Sequence, residues 1–275
     1  MTLFDFSPVD YPDCTVNAWL HKHLHPDGNI CSPHPAIVIC PGGGYNAISS
    51  RESAPVAEPF FAAGYNVFIL HYSVKENAKG FRPLCQLAAT VSHIRSHAEE
   101  FLTIPDKIAV MGFSAGGHLA ASLGTLYNNP KFLAVYGKDD PIRPDAMILG
   151  YPVITADDTF SQINTIENVS GAKKGTAEYR WFDLTEHVDS TTPPTFLWHT
   201  AQDQIVPVEN SLLFSMALSR HKVPYELHIL PEGPHGMSVC TNEVCASYIQ
   251  CFDPYNARWI QWCIQWLSSQ FTYSY

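Results

Sequence analysis

The feature that most constrains the fold of this chain is an alternation, from residue 35 onwards, of short apolar runs with helix-forming segments. The apolar runs are Ala36–Cys40, Val67–Tyr72, Lys107–Gly112, Ala146–Tyr151, Thr195–Thr200 and Tyr225–Leu230. The helical segments are Val56–Ala63, Leu84–Phe101, Ala115–Tyr127, Val208–His221 and Pro254–Ser268. Strands that are apolar throughout are buried on both faces, and helices between them serve as crossover connections. The alternation therefore predicts an α/β fold with a mainly parallel central sheet and helices on both of its faces.

Two stretches depart from this alternation. Thr15–Leu20 alternates loosely between apolar and polar residues, which predicts an edge strand ahead of the regular region. Residues 152–193 are rich in Asp, Thr, Asn and Gly around an aromatic group formed by Tyr179, Trp181 and Phe182. We interpret this stretch as a small cap-like insertion over the strand ends, with an ordinary loop excursion as the alternative. On this interpretation residues 1–275 form a single α/β domain.

The composition limits the partners that are expected. Of the 275 residues, 46% are hydrophobic and 15% are charged, which is enough apolar material for a large core. The net charge of −10 repels a phosphate backbone, so nucleic acid is not expected as a partner. No apolar run approaches the roughly 18 residues of a membrane-spanning helix, and the first residues resemble no signal peptide. A cytoplasmic protein without a membrane partner is expected, and the sequence leaves open whether it forms a homo-oligomer.

The sequence Gly112-Phe113-Ser114-Ala115-Gly116-Gly117 stands between a predicted strand and a predicted helix. A GxSxG pattern is common by chance, but a sharp strand-to-helix turn is the context that a nucleophilic serine needs. At such a turn Gly112 and Gly116 leave out side chains that would clash, and the serine is raised to the N-terminal end of the helix. We therefore predict that Ser114 is a catalytic nucleophile. The alternative is a glycine-rich turn with an incidental serine.

A serine hydroxyl needs a base that takes its proton, and the base needs an acid that orients it. In folds with this turn the chain order is serine, acid, histidine. Asp203 follows the run Thr195–Thr200, and His235 lies in a loop that follows the run Tyr225–Leu230. Both come at the carboxyl ends of predicted strands, where ligands bind in open parallel sheets. We predict Asp203 as the acid and His235 as the base.

Other histidines and acids are weaker candidates. The competing histidines lie far upstream or inside predicted strands: His21, His23, His25, His71, His199 and His228. The competing acids follow a strand less directly: Asp183, Asp189 and Glu209. His118 comes four residues after Ser114 and is a candidate for the floor of the site. His118 and Tyr45 are taken as candidate substrate-binding residues.

Acyl transfer also needs hydrogen-bond donors for the oxyanion that develops on the carbonyl. The sequence Pro41-Gly42-Gly43-Gly44-Tyr45 directly follows the first apolar run, and its glycines allow backbone N–H groups to point into a site. We predict that the N–H groups of Gly43, Gly44 and Ala115 form the oxyanion hole. A phosphate-binding loop is the alternative for a run of glycines, but the Lys-Ser or Lys-Thr pair of such a loop does not follow.

The eight cysteines contain no CxxC pair. Cys240, Cys245 and Cys251 are close in sequence, but their spacings do not match those usual for metal ligands. Reduced thiols in a cytosolic protein are the simpler interpretation. Neither a metal nor an organic cofactor is therefore expected.

Together these segments resemble the α/β-hydrolase superfamily, and within it carboxylesterases of the hormone-sensitive-lipase-like and acetyl-xylan/feruloyl esterase-like groups. The resemblance spans about residues 35–270 and rests on PGGGY at 41–45, HYSVKENAKGF at 71–81, GFSAGGHLAASLG at 112–124, TAQDQIVP at 200–207 and GPHGM at 233–237. Pro41 stands where many members carry the histidine of HGGG, and the common YRLAPE pattern is absent. The long N-terminal cap of many lipase-like members does not fit ahead of residue 41.

The resulting hypothesis is a serine carboxylesterase that hydrolyses small, short-acyl esters such as acetyl esters through an acyl-enzyme. Its expected partner is a small-molecule ester. An amidase, formamidase or peptidase would share the same triad, so these activities remain alternatives. A non-catalytic binding protein with a hydrolase fold is a further alternative, although such proteins typically lose the serine, the histidine or the glycine loop.

Overall fold

The computed structural model describes residues 1–21, 32–245 and 250–271, so that His23 and His25 lie outside the described residues. Its strands are β1 (Thr2–Phe6), β2 (Thr15–Leu20), β3 (His34–Cys40), β4 (Asn66–His71), β5 (Thr103–Phe113), β6 (Ala146–Gly150), β7 (Thr195–Thr200) and β8 (Tyr225–Leu230). Within the described residues these strands form one sheet in the order β1-β2-β4-β3-β5-β6-β7-β8. β4, β3 and β5 to β8 are parallel, which confirms the predicted mainly parallel α/β sheet.

Helices cover both faces of this sheet. They are α1 (Ala54–Ala62), α2 (Arg82–Ser96), α3 (Ala115–Leu126), α4 (Pro130–Tyr136), α5 (Ile163–Ser170), α6 (Ala177–Arg180), α7 (Glu209–Arg220) and α8 (Trp259–Gln270). On β5, Ile108 and Val110 pack into the cluster that holds α2, α3 and α7, whereas Ala109 and Met111 pack into the cluster that holds α1 and α8. This alternation explains why the central strands are apolar at every position. None of the helices in the described ranges is long and apolar enough to cross a membrane.

The N-terminal part of the sheet differs from the prediction. Thr15–Leu20 is a strand, but it is not at the edge, because β1 pairs with it in antiparallel register and lies outside it. β1 is only five residues long, and its Phe4 and Phe6 are held by ring contacts with Phe101 near the start of β5. Contacts so distant in sequence leave no local periodic signal, so this strand was not predicted.

The stretch between β6 and β7 has its own secondary structure. It contains α5, α6 and a 3₁₀ turn at Leu184–His187. Tyr179, Phe182 and Leu184 are buried and join the core cluster on the α3 side of the sheet. The predicted aromatic group therefore anchors the insertion to the main core rather than forming a separate one.

Candidate active site

The turn from β5 to α3 holds Ser114 in a sparsely populated conformation, with φ 53° and ψ −120°. Its neighbours have no room for side chains. A Cβ on Gly112 would lie 2.0 Å from the Gly116 carbonyl oxygen, and a Cβ on Gly116 would lie 2.0 Å from the Cys40 carbonyl oxygen. The Ser114 N–H donates to the Gly150 carbonyl oxygen of β6 at 3.1 Å, which fixes the turn to the sheet. This is the steric reason for which glycine was expected at both positions.

The structure brings the three predicted triad residues into one hydrogen-bonded chain. The Oγ of Ser114 lies 2.9 Å from Nε2 of His235. Nδ1 of the same imidazole lies 2.6 Å from Oδ2 of Asp203. Asp203 follows β7 and His235 follows β8, so both side chains come from loops at the carboxyl edge of the parallel sheet. This arrangement can pass a proton from the serine to the imidazole and stabilise the resulting cation.

The Asp203 carboxylate is buried and held by several donors. Its Oδ1 accepts hydrogen bonds from the N–H groups of Ile205 and Val206, both at 2.9 Å. Burial alone would raise the pKa of Asp203, but hydrogen bonds from His199, His235 and the Val206 N–H outweigh it and hold the pKa well below its usual value. The group is therefore a fixed negative charge beside the His235 imidazole.

His199, a competing histidine in the sequence, lies behind Asp203. It is fully buried, with Nδ1 at 2.8 Å from the Ser211 Oγ and Nε2 at 3.0 Å from the Val206 carbonyl oxygen. Its Nε2 also lies 3.3 Å from Oδ2 of Asp203. Both ring nitrogens are thus occupied, and His199 supports the acid rather than competing with His235.

The glycine loop after β3 presents backbone donors to Ser114. Gly43 and Gly44 have φ angles of +130° and +65°, and a Cβ on Gly43 would lie 2.1 Å from the Ala47 carbonyl oxygen. Among the described residues, the N–H groups of Gly43, Gly44 and Ala115 have no hydrogen-bond acceptor. The Gly42 N–H is different, because it donates to Oε2 of Glu52 at 2.7 Å. The three predicted donors are thus the ones that remain available to an oxyanion.

The structure does not bring Tyr45 and His118 into the cleft. Both are buried in the core, where the Tyr45 hydroxyl lies 3.0 Å from Nδ1 of His118. Nε2 of His118 lies 3.2 Å from the Phe182 carbonyl oxygen. Tyr45 follows the glycine loop at a φ of +57°, and its hydroxyl is taken up by the buried histidine. Contact of either side chain with substrate remains a prediction that no contact in the structure supports.

A cleft of about 270 Å³ opens above Ser114 and His235. Among the lining residues that were not anticipated from the sequence are Ser49, Arg51, Gln162, Thr165 and Ile205. Gln162 and Thr165 belong to the insertion, so the insertion forms one wall of the cleft. Glu52 also reaches the cleft and was not anticipated either. None of these residues stands in a local pattern that signals chemistry, because their proximity to Ser114 arises only from the tertiary fold.

Known proteins are similar to this chain in sequence and in fold. The family model described as BD-FAE matches residues 24–218, which is more than half of the chain. The chain belongs to the BD-FAE family. A curated relative is the endo-1,4-beta-xylanase B of Butyrivibrio fibrisolvens, 34% identical over 232 residues, which are 82% of this chain and 35% of that protein. The chain spans 35% to 58% of the length of the curated relatives that it matches.

Two solved structures are similar over nearly the whole chain. The carboxylesterase Cest-2923 from Lactobacillus plantarum has a TM-score of 0.87 at 26% identity, with 100% of both chains covered. The acetyl ester-xyloside bifunctional hydrolase from Caldicellulosiruptor lactoaceticus has a TM-score of 0.79 at 32% identity, covering 95% of this chain and 89% of that one. The BD-FAE chain is therefore an α/β hydrolase, and its solved relatives include a carboxylesterase.

Proposed function

We propose that this BD-FAE protein is a serine carboxylesterase that hydrolyses small esters with short acyl groups, such as acetyl esters. The observation that carries the proposal is the continuous chain Ser114–His235–Asp203, with contacts of 2.9 and 2.6 Å, beside backbone N–H groups that have no acceptor among the described residues. A nucleophile, a base, an oriented acid and oxyanion donors are the parts that acyl transfer requires.

In the first half-reaction, Nε2 of neutral His235 accepts the hydroxyl proton as Ser114 Oγ bonds to the ester carbonyl carbon. The carbonyl oxygen becomes an oxyanion that accepts hydrogen bonds from the N–H groups of Gly43, Gly44 and Ala115. The imidazolium then gives its proton to the departing alkoxide, which leaves an acyl-serine and an alcohol. The Asp203 carboxylate holds the Nδ1–H tautomer and stabilises the cation. In the second half-reaction, water gives a proton to His235 as its oxygen bonds to the acyl carbon. The imidazolium then returns this proton to Ser114 Oγ as the bond between Oγ and the acyl carbon breaks, which releases the acid and restores the free serine.

Two observations support an acyl group of a few atoms and a polar alcohol. The cleft beside Ser114 measures only about 270 Å³. Its side chains are mainly polar, among them Ser49, Gln162 and Thr165, and these can hydrogen-bond to an alcohol that carries hydroxyl groups. The solved relative named an acetyl ester-xyloside bifunctional hydrolase points to the same class of ester.

The experiment that tests the proposal combines covalent labelling with turnover. We expect a fluorophosphonate probe to label the wild-type protein on Ser114, and an aryl acetate to be hydrolysed faster than the matching anilide. The substitution Ser114→Ala should remove labelling and lower kcat about 10⁴-fold or more, because the nucleophile is lost. His235→Ala should also abolish labelling, whereas His118→Gln, which leaves the triad untouched, should retain it.

An unlabelled wild-type protein, or a Ser114→Ala protein with substantial turnover, would overturn the proposal. Faster hydrolysis of the anilide would show that the same triad serves an amidase instead. Circular dichroism of each variant establishes that loss of activity does not come from loss of the fold.

A further inference from the structure

Glu52 is a buried carboxylate close to Ser114 that the proposed triad does not use. Its residue is 3% exposed, and it ends the 3₁₀ turn Ser50–Glu52 that follows the glycine loop. Oε2 accepts a hydrogen bond from the Gly42 N–H at 2.7 Å, and Oε1 accepts one from the Tyr151 hydroxyl at 2.7 Å. A carboxylate that is buried among neutral hydrogen-bond donors lowers the free energy of unfolding relative to an apolar residue at the same position. A role in function would explain a carboxylate at this position.

The position of Glu52 relative to the nucleophile is closely defined. A Cβ on Gly42 would lie 2.7 Å from Oε2 of Glu52 and 3.0 Å from Cβ of Ser114, so both side chains lie close against Gly42. Only glycine lets the Glu52 carboxylate approach the backbone this closely beneath the oxyanion donors. The hydrogen bond to the Gly42 N–H therefore fixes the loop immediately before Gly43.

Tyr151 extends this connection to the histidine loop. Burial and the neighbouring Glu52 carboxylate raise the pKa of Tyr151 well above its usual value, so the phenol keeps its proton and donates to Glu52. The same oxygen accepts a hydrogen bond from the Ser238 N–H at 3.0 Å. The Tyr151 ring also meets the edge of the His235 imidazole, with ring centroids 5.1 Å apart.

Arg51 makes a second connection between the same two loops. Its carbonyl oxygen accepts a hydrogen bond from the Ser238 hydroxyl at 2.5 Å. Its guanidinium donates to the carbonyl oxygen of Gly236, next to His235, at 2.6 Å. Residues 51 and 52 thus connect the loop that holds the oxyanion donors to the loop that holds the base.

This connection can hold the oxyanion donors in place, which the chemistry of the site requires. A run of three glycines has more backbone freedom than any other sequence, whereas oxyanion donors stabilise a transition state only when they are already in place. In this loop, the Gly42 N–H is tied from one side by Glu52, and the following N–H groups of Gly43 and Gly44 stay available.

We infer that Glu52, together with Tyr151, is a positioning residue that orients the oxyanion donors of the glycine loop and couples them to the His235 loop. The inference rests on the proposed esterase function and deepens it. In this role Glu52 acts on the oxyanion donors through its hydrogen bond to the Gly42 peptide.

Three substitutions separate the parts of this role. Glu52→Met keeps most of the side-chain volume but offers no oxygen to the Gly42 N–H. Glu52→Gln keeps one acceptor for that N–H and loses the second, which Tyr151 uses. Tyr151→Phe keeps the bond to Gly42 and breaks the connection to Ser238. Glu58→Gln, at an exposed position of α1, is the matched control for loss of one negative charge.

The readouts are kcat and KM for an aryl acetate, and the Ki of a trifluoromethyl ketone. With this ketone, Ser114 Oγ bonds to the carbonyl carbon, its proton passes to His235, and the C=O opens to an oxyanion that occupies the oxyanion hole. Thermal unfolding of each variant is measured in parallel. A purely structural role would lower the melting temperature without a selective change in Ki.

We expect Glu52→Met to lower kcat and raise the ketone Ki about 10- to 100-fold, with KM changed by less than about threefold, because transition-state contacts are lost. Glu52→Gln should recover most of this loss, Tyr151→Phe should lower kcat severalfold, and Glu58→Gln should match the wild type. If Glu52→Met does not fold, Glu52→Gln and Tyr151→Phe test the inference. They should show the same selective change, a lower kcat and a higher ketone Ki.

Wild-type kcat and Ki in the folded variants would overturn the inference, and so would a rise in KM with an unchanged Ki. A wild-type protein that neither hydrolyses the ester nor binds the ketone would instead overturn the proposed function, which keeps the two failures distinct.

Discussion

At the scale of single residues, the two histidines nearest the nucleophile differ in the freedom of their ring nitrogens. His235 is partly exposed and has Nε2 directed at Ser114. His118 is fully buried between the Tyr45 hydroxyl and the Phe182 carbonyl oxygen, and burial lowers its pKa to about 4. His118 is therefore neutral at neutral pH, and its titration affects the stability of the fold rather than the chemistry.

The pKa of His118 predicts a pH dependence of stability. Between about pH 6.5, where an unfolded histidine titrates, and about pH 4, the unfolded chain binds a proton at this residue and the folded chain does not. The contribution of neutral His118 to the free energy of unfolding is therefore fully present above this pH window, and it is lost as the pH falls through the window. Urea unfolding should show that the wild type loses about 2 kcal/mol more between pH 7.5 and pH 5 than His118→Gln does.

The control for this prediction is His221→Gln, because His221 is exposed at the end of α7. It should lose stability on acidification as the wild type does. If the free energy of unfolding falls equally with pH in the wild type and in His118→Gln, the buried, neutral state of His118 is contradicted.

Sequence reasoning located Ser114, Asp203 and His235 because each follows a strand with a recognisable apolar run. It did not locate Glu52 or Arg51. The partners of these residues are remote in sequence, since Tyr151 lies 99 residues from Glu52 and Gly236 lies 185 residues from Arg51. Such contacts exist only after the sheet has brought the loops together, so no local pattern reports them.

At the scale of elements, α5 of the insertion reaches the glycine loop directly. The side chain of Gln162 accepts a hydrogen bond from the Thr165 N–H at 2.8 Å and begins the helix, and Gly171 ends it in a left-handed conformation. From the middle of the helix, Asn168 Nδ2 donates to the Gly44 carbonyl oxygen at 2.8 Å. The insertion therefore holds the glycine loop through the Gly44 carbonyl.

This contact predicts an effect of a substitution on α5. Asn168→Ala removes one hydrogen bond to the loop, worth about 0.5 to 1.5 kcal/mol, so we expect kcat for an aryl acetate to fall about 2- to 10-fold. Asn164→Ala is the matched control, because Asn164 is exposed one turn earlier on the same helix. Steady-state kinetics of the two variants test the difference, and equal kcat values would mean that α5 does not contribute to the loop geometry.

The elements whose bounds the sequence predicted best are those that neighbouring residues mark at both ends. β7 and β8 have the predicted bounds, because a proline, Pro194 or Pro224, directly precedes each strand and a turn with polar residues follows it. α4 was not among the predicted helices, and it begins at a proline, Pro130. At the first helical position, however, proline is favourable, and the Asn129 side chain accepts from the Lys131 N–H at 2.9 Å.

At the scale of the whole molecule, the site exists because parallel strands end at one edge of the sheet. β3, β5, β7 and β8 deliver the glycine loop, Ser114, Asp203 and His235 to that edge. Hydrophobic clusters on both faces hold these strands in register, so the loops are supported by the largest packed part of the protein. The insertion between β6 and β7 then forms one wall of the cleft, whose volume is limited to about 270 Å³.

This limit predicts a preference for short acyl chains. A methylene group gains about 0.8 kcal/mol when it moves from water into an apolar pocket. Of the side chains that line the cleft in the described residues, Ile205 is the only apolar one, and it is 57% exposed. Longer acyl chains therefore meet a single apolar side chain in a cleft of about 270 Å³.

We expect kcat/KM to be highest for acetyl or propionyl esters and to fall towards octanoyl esters, measured along a series of p-nitrophenyl esters that share one leaving group. Ile205→Ser should lower kcat/KM for butyryl esters more than for acetyl esters, because it removes the apolar contact that only the longer chain reaches. Leu212→Ser, at an exposed position of α7, controls for loss of an exposed apolar side chain. A maximum at eight carbons or more would mean that the acyl chain lies outside this cleft, in which case the insertion would not set the chain length.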